Sequence, residues 1–299
     1  MKDAEKHMDW QLIVIAWGDK YGAQDINQLI AGVRAHATGL QRIVLITDRP
    51  RPGLADGVTC VDHPPEFLDE ALRRSGCQAK LAMFKPGVVP DDMPAIFVDL
   101  DTIVLGDLSA LLAHHRDPRD VSIFQSAIVP FGPLGRWLWR NTGRRKYARG
   151  NSSIVVFHPA HCGYIAERFM ELWTPSRSFA IRPMIADERF ISWVAQPHMH
   201  AIPKALAVKF PTEFMYPWLW LGRLIGAMPN VRARRDRLIA ITLPGEAVKA
   251  EVLLSLPEGA EVRDRKGRRM IWSDAFVGPV RKRMMDALAR AATAARRMG

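Results

Sequence analysis

Two aspartates separated by one leucine, Asp99-Leu100-Asp101, close a short apolar run that begins at Ala95. On an extended backbone, residues two apart face the same way, so one divalent cation can meet both carboxylates. Hard oxygen donors of this kind suit Mg²⁺ or Mn²⁺, which fill their remaining positions with water and phosphate oxygens. Asp pairs also occur in ordinary turns and caps, so position matters more than the motif. A second acid pair, Asp187-Glu188, stands at the start of a stretch with helical spacing. The helix dipole favours acids there, and either carboxylate could equally serve as a general base.

The elements that must position these acids are written in the periodicity. Leu12-Ile-Val-Ile-Ala16 is a continuous apolar, β-branched run, the mark of a strand buried on both faces. Ile26, Leu29, Ile30, Val33 and Ala37 recur at helical spacing, with Asp25 and Gln28 placed like a capping box. Strands are expected at 42–47, 58–61 and 95–99, with helical stretches near 66–74 and 78–84. The alternation predicts a mainly parallel, doubly wound α/β sheet, whose ligand site lies at the carboxyl ends of its strands. Further along, strands are expected at 121–124, 152–157, 205–210 and 237–243, and helices at 161–173 and 186–195.

The 299 residues carry a formal net charge of +11, with 48% hydrophobic and 24% charged residues. That balance excludes a disordered or collagen-like chain. Cys60, Cys77 and Cys162 form no CxxC pair, which argues against a disulfide framework or a zinc knuckle. No secretory signal is apparent at the N-terminus, and a cytoplasmic location is expected. The charge is uneven. Residues 231–299 hold 16 Lys/Arg against 8 Asp/Glu, and Arg136–Arg149 adds six basic groups with no acid. Such segments point to an anionic partner, among phosphates, a membrane surface or nucleic acid, although each is also compatible with a solvated face.

Taken in order, Ala16-Trp-Gly-Asp-Lys-Tyr21, Ile46-Thr-Asp48, Ala79–Phe84, Phe97–Val104, Gly150-Asn-Ser-Ser153 and Asp187-Glu188 resemble the GT-A-fold glycosyltransferases, especially glycosyltransferase family 8 and related bacterial enzymes. The likeness spans roughly residues 10–200. It implies a nucleotide-diphospho-sugar transferase fold and a hexosyltransferase-like activity, with Mn²⁺ or Mg²⁺ on Asp99 and Asp101. Ala16, Asp19 and Tyr21 would line the nucleoside, favouring a UDP-sugar, and Asp48 would accept a hydrogen bond from the base. Lys80 would meet the diphosphate, and Asn151 and Ser152 the donor sugar or the acceptor. Asp187-Glu188 resembles the family's Asp-Gln pair beside the reacting sugar, with Glu in place of Gln. The family's late His-x-x-Gly-x-x-Lys segment has Leu243-Pro-Gly-Glu-Ala-Val-Lys249 as its best counterpart, which lacks the histidine. Glu246 is then one candidate for a third metal ligand.

The resemblance leaves the acceptor open among saccharides, lipid-linked sugars and proteins, and leaves retention or inversion undecided. Phe131–Arg149, with Trp137, Trp139, Tyr147 and its six cations, is expected as a flap over the site. Nucleic acid is a weaker fit, since no binding motif accompanies the basic groups. Two other classes remain: a sugar-nucleotide binder without turnover, and a haloacid-dehalogenase-type phosphatase, whose signature Phe97–Thr102 superficially matches. The expected domain division is 1–255 for the transferase unit and 256–299 for a basic appendage. Within the appendage, Val280, Met284, Leu288, Ala291 and Ala295 form an apolar stripe opposed by Arg281, Lys282, Arg283, Arg290, Arg296 and Arg297. A basic amphipathic helix of that kind can lie on an anionic membrane, which would place the protein on the inner face of the membrane.

Overall fold

A computed structural model describes residues 8–73, 77–126, 129–173 and 179–298. The first half contains β1 (Trp10–Ala16), α1 (Ala23–Arg34), β2 (Leu40–Thr47), β3 (Val58–Asp62), α2 (Glu70–Arg73), β4 (Ala95–Val98), β5 (Thr102–Val104), β6 (Val121–Gln125) and α3 (Pro133–Asn141). Then come β7 (Gly150–Phe157), α4 (Pro159–Cys162), α5 (Tyr164–Leu172), α6 (Asp187–Val194), β8 (Met199–Ala201), β9 (Ala207–Lys209), α7 (Phe210–Phe214), α8 (Leu219–Ala227) and α9 (Pro229–Asp236). The chain closes with β10 (Ala240–Thr242), α10 (Ala250–Ser255), β11 (Glu261–Arg263), β12 (Arg269–Ile271), α11 (Asp274–Val277) and α12 (Val280–Met298).

Seven strands form one sheet in the order β3-β2-β1-β4-β7-β6-β8, and only β7 runs against the rest. The fold class read from the periodicity, a mixed and mainly parallel sheet flanked by helices, is the one observed. β1 shows why its run is apolar throughout. Ile13 and Ile15 enter one core layer with Phe97, Phe157 and Phe190, while Leu12 and Val14 enter the other with Ile26 and Ile30 of α1. Burying one such side chain stabilises the fold by about 1.5–3 kcal/mol.

The stretch 66–74 is not one helix. A 3₁₀ turn at Pro65–Phe67 precedes α2, and residue 74 lies outside the described residues. Gln78–Phe84 is also 3₁₀, and Lys85 is extended because Pro86 follows it. The acids sit at a change of sheet. Immediately after Asp101, β5 joins a second, three-stranded sheet, β5-β10-β9, in which Thr102 faces Thr242.

The C-terminal segment packs where a bilayer contact was expected. Val280 and Met284 are fully buried, and Leu288 and Ala295 nearly so. With Trp272 and Met270, Val280, Met284 and Leu288 share a third core with Ile103, Val208 and Ile241 of the small sheet, and α12 also lies along α1. The apolar stripe is therefore core, and only the basic side of the helix meets solvent. A stripe at helical spacing looks the same in sequence whichever apolar partner covers it. Among the described residues, no helix is long and apolar enough to cross a membrane.

Candidate active site

The ends of β1, β2 and β4 and the start of the reversed β7 converge on one edge of the large sheet. Ala16 ends β1, Asp48 follows β2, Asp99 follows β4, and Asn151 lies one residue into β7. The Asp99 N–H donates to the Ser153 carbonyl at 2.9 Å, which carries the β4–β7 ladder to the acids. Lys80, from the 3₁₀ turn, reaches both Asp99 oxygens with Nζ at 2.5 and 2.7 Å. Burial alone would lower the Lys80 pKa, but the Asp99 and Asp187 carboxylates outweigh it and hold the ammonium protonated.

Asp101 is different. Its Oδ1 is buried and has no hydrogen-bond partner. Burial first, and then the charge of Asp99, push its carboxyl up to about 6. Burial, Asp101 and Asp99 likewise push the Tyr21 phenol up to about 12. Tyr21, Asp101, Leu29, Lys249 and Leu288 line a cavity of about 150 Å³ between α1, the acid turn and α12.

The facing wall is built by β7 and α6. Gly150 is required where β7 begins, because a Cβ there would lie 2.1 Å from Ile123 Cδ1. Its N–H donates to Ser192 Oγ at 2.9 Å, which ties the strand to α6. Next to it, Asn151 Nδ2 donates to Glu188 Oε2 at 2.7 Å, and Ser152 Oγ donates to Asp187 Oδ2 at 2.6 Å. Asp187 is only 4% exposed, and burial pushes its carboxyl up to about 6 against the pull of Lys80 and Ser152.

Asp48 is engaged within the protein: Oδ2 accepts the Gly18 N–H at 3.1 Å, and Arg49 and Arg51 pair with it at 3.1 and 3.4 Å. Burial alone would raise its pKa, but the Arg49 and Gly18 hydrogen bonds prevail and keep it below the usual carboxylate range. Asp19 is exposed and paired with Arg49. In the late segment, the Leu243 N–H donates to the Asp101 carbonyl at 2.8 Å, which sets Leu243 beside the acid turn. Glu246 is exposed and bonded to Lys249 at 2.6 Å. The expected flap is a docked helix: Trp139 is a core residue, while Trp137 is 59% exposed.

Two residues were not singled out from sequence. Arg51 donates to the Tyr21 and Gly18 carbonyls, so it shapes the loop after β1. Lys209, at the end of β9, is half-buried and has its pKa lowered by burial, against the opposing charges of Glu188 and Asp101. Neither lies in a motif, and only the crossing of distant segments marks them.

A second group of metal-capable side chains, Asp117, Asp120 and His198, has ligand atoms within 4.8 Å of one another. It lies at the start of β6, the opposite edge of the sheet from Asp99. Asp120 already accepts the Arg116 and Asp117 N–H groups and pairs with His200 Nε2 at 3.0 Å.

The likeness to solved structures shows that the fold is the GT-A glycosyltransferase fold. Solved structures with the same fold include the bifunctional glycosyltransferase WbbM in its apo form, at 16% identity and TM-score 0.54, covering 81% of this chain and 47% of that one. The galactosyltransferase LgtC, in complex with donor and acceptor sugar analogues, matches at 13% identity and TM-score 0.50, covering 93% and 95%. Apo GlyE from Streptococcus pneumoniae TIGR4 matches at 14% identity and TM-score 0.51, covering 81% and 56%. The chain thus spans about half the length of WbbM and of GlyE and nearly all of LgtC. No protein-family model and no curated protein sequence matches it.

Proposed function

We propose that this chain is a glycosyltransferase that moves a sugar from a nucleotide-diphosphate donor, preferentially a UDP-sugar, to an acceptor hydroxyl. The observation that carries this reading is Asp101 Oδ1, a buried carboxylate oxygen without a donor, beside a second carboxylate and a tyrosine ring. A buried, unpaired carboxylate is costly, and a divalent cation would relieve it. Two aspartates fit Mg²⁺ or Mn²⁺, hard ions that accept water and phosphate oxygens as their other ligands. With Leu243 in the family's histidine position and Glu246 bonded to Lys249, Asp99 and Asp101 would be the protein ligands. Such a metal supplies Lewis-acid stabilisation of the leaving nucleoside diphosphate.

The chain's own residues supply the rest. Lys80 presents a permanent cation at the diphosphate, oriented by Asp99. Tyr21 offers a ring to the base, on a loop held by Asp48 and Arg51. Asn151 fixes the Glu188 carboxylate at the sugar-facing wall. There Glu188 is the better placed of the two acids to take a proton, because Asp187 is enclosed by Ser152 and Lys80. Leu243 also motivates a second reading, nucleotide-sugar binding without transfer.

Thermal unfolding with UDP, with and without Mn²⁺, tests the site. A ligand present at 100 times its Kd stabilises by about 2.7 kcal/mol. That gain is expected only when Mn²⁺ is present, and it should vanish in Asp101→Ala. Equal stabilisation without metal in both proteins would overturn the assignment. Release of UDP from UDP-sugars separates a transferase from a binder.

A further inference from the structure

The stretches of sequence on either side of the Asn151–Glu188 wall are rich in cations. Residues 126–149 contain six Lys/Arg and residues 174–186 two, and neither stretch contains an acid. They flank the Asn151–Glu188 pair, one before β7 and the other before α6. The loop at 142–149 is fixed on α6, because Trp193 Nε1 donates to the Arg144 carbonyl at 3.1 Å and Ser192 Oγ holds Gly150. Arg189 lies one helical turn before Ser192, which brings it to the same side as Arg149. The Arg149 guanidinium stands 5.6 Å from the Tyr147 ring centroid. Arg149, Arg189 and Arg182 all act electrostatically on the Tyr147 hydroxyl, which burial nevertheless keeps protonated and able to donate. Among the described residues, none of these three arginines has an ion pair, and none donates a side-chain hydrogen bond. Arg189 is half-buried all the same.

Three guanidiniums within electrostatic reach of one phenol O–H are donors without an acceptor among the described residues. Guanidinium forks match phosphate oxygens two at a time, and a shared anion would also relieve the repulsion among them. We propose that Arg149, Arg182, Arg189 and Tyr147 form an anion subsite that holds a phosphate group carried by the acceptor sugar, next to the hydroxyl presented to Glu188. This rests on the transferase reading for its orientation, while the anion site itself can be measured separately.

The test is calorimetric titration of α-D-glucose 1-phosphate, glucose and UDP into the full chain with Mn²⁺ at fixed ionic strength. The sugar phosphate should bind in the presence of saturating UDP, and glucose at least tenfold more weakly. Arg149→Gln/Arg189→Gln should lose at least tenfold in sugar-phosphate affinity and keep its UDP affinity within twofold. The corresponding double Lys variant should recover part of the loss, which excludes misfolding as its cause. Unchanged sugar-phosphate affinity in the Gln variant overturns the proposal, as does glucose binding as well as its phosphate. Displacement of the sugar phosphate by phosphatidylglycerol-containing vesicles or by poly(U) would overturn it in favour of a lipid or nucleic-acid surface. Failure of UDP to bind either protein would refute the donor site alone, and the sugar-phosphate comparison would still decide the anion subsite.

Discussion

Two regions of this molecule carry similar net positive charge and differ in how their cations are partnered. In the C-terminal third several of the cations are tied into the fold. Arg235 is fully buried, paired with Glu213 at 2.7 Å and donating to the Phe276 carbonyl at 3.0 Å. Arg281 bridges Asp274 and Glu258, Arg268 pairs with Asp264, and Arg283 donates to the Leu105 and Leu238 carbonyls. Around Tyr147, Arg149, Arg182 and Arg189 have no such partners among the described residues, and the cationic side chains of residues 136–149 that make contacts lie over aromatic faces, Arg144 over Trp139 and Arg149 over Tyr147. Net charge is a sum over both regions and cannot separate them. What separates them is whether acids and carbonyls lie within reach once the chain has folded. Cations with internal partners stabilise; cations without them are available to a ligand.

The largest effect is expected at Glu213. Glu213→Ala leaves the Arg235 guanidinium buried without its carboxylate, and the expected loss is about 3–5 kcal/mol in urea unfolding. A loss below 1 kcal/mol would mean that Arg235 reaches water and that the C-terminal cations are not structural. Next is the apolar stripe of α12. Met284→Ala should cost about 2–4 kcal/mol, because a buried methionine leaves a cavity. A helix whose stripe instead met lipid would show no stability change and weaker vesicle co-sedimentation.

At the acid pair the expected sign is reversed. The folded-state pKa of Asp101 is raised from 3.8 to about 6, so the fold disfavours its ionised form. The penalty is absent below about pH 4, grows as pH rises to about 6, and is constant above that. Asp101→Asn should therefore stabilise the metal-free protein at pH 7.5, by on the order of 1–2 kcal/mol, and should lose Mn²⁺-dependent UDP binding. Unfolding in EDTA at pH 4.5 and 7.5 checks this, and a gain that does not grow with pH would refute it. The smallest effect is expected at Arg149 and Arg189. Arg149→Gln and Arg189→Gln should each change stability by less than about 0.5 kcal/mol. A cost above 1 kcal/mol in either would make that arginine structural and erase the contrast.

The local patterns of the chain and its distant pairings divide the same way. β1, β2 and β4 are local patterns: short, continuous apolar runs that can be satisfied only by burial on both faces. Asp99 and Asp101 stand just beyond one of them, so their place at a sheet edge needed no knowledge of the partners. The segment at 66–84 was less legible, since Pro65 and Pro86 shorten its turns to 3₁₀ geometry where the composition alone reads as helix.

Tertiary structure alone decided what each charged side chain does. The identity of the residue at 80 does not tell that its ammonium grips Asp99 and leaves an Asp101 oxygen bare. Nor do residues 35 and 37 apart in sequence declare that Ser152 holds Asp187 and Asn151 holds Glu188. The same limit applies to α12, whose stripe has one period whether protein or lipid covers it. Apolar periodicity is a property of neighbouring residues and was determined by the sequence at short range. Pairing depends on which distant segments the sheet brings within about 3 Å of one another, and only the folded chain sets that.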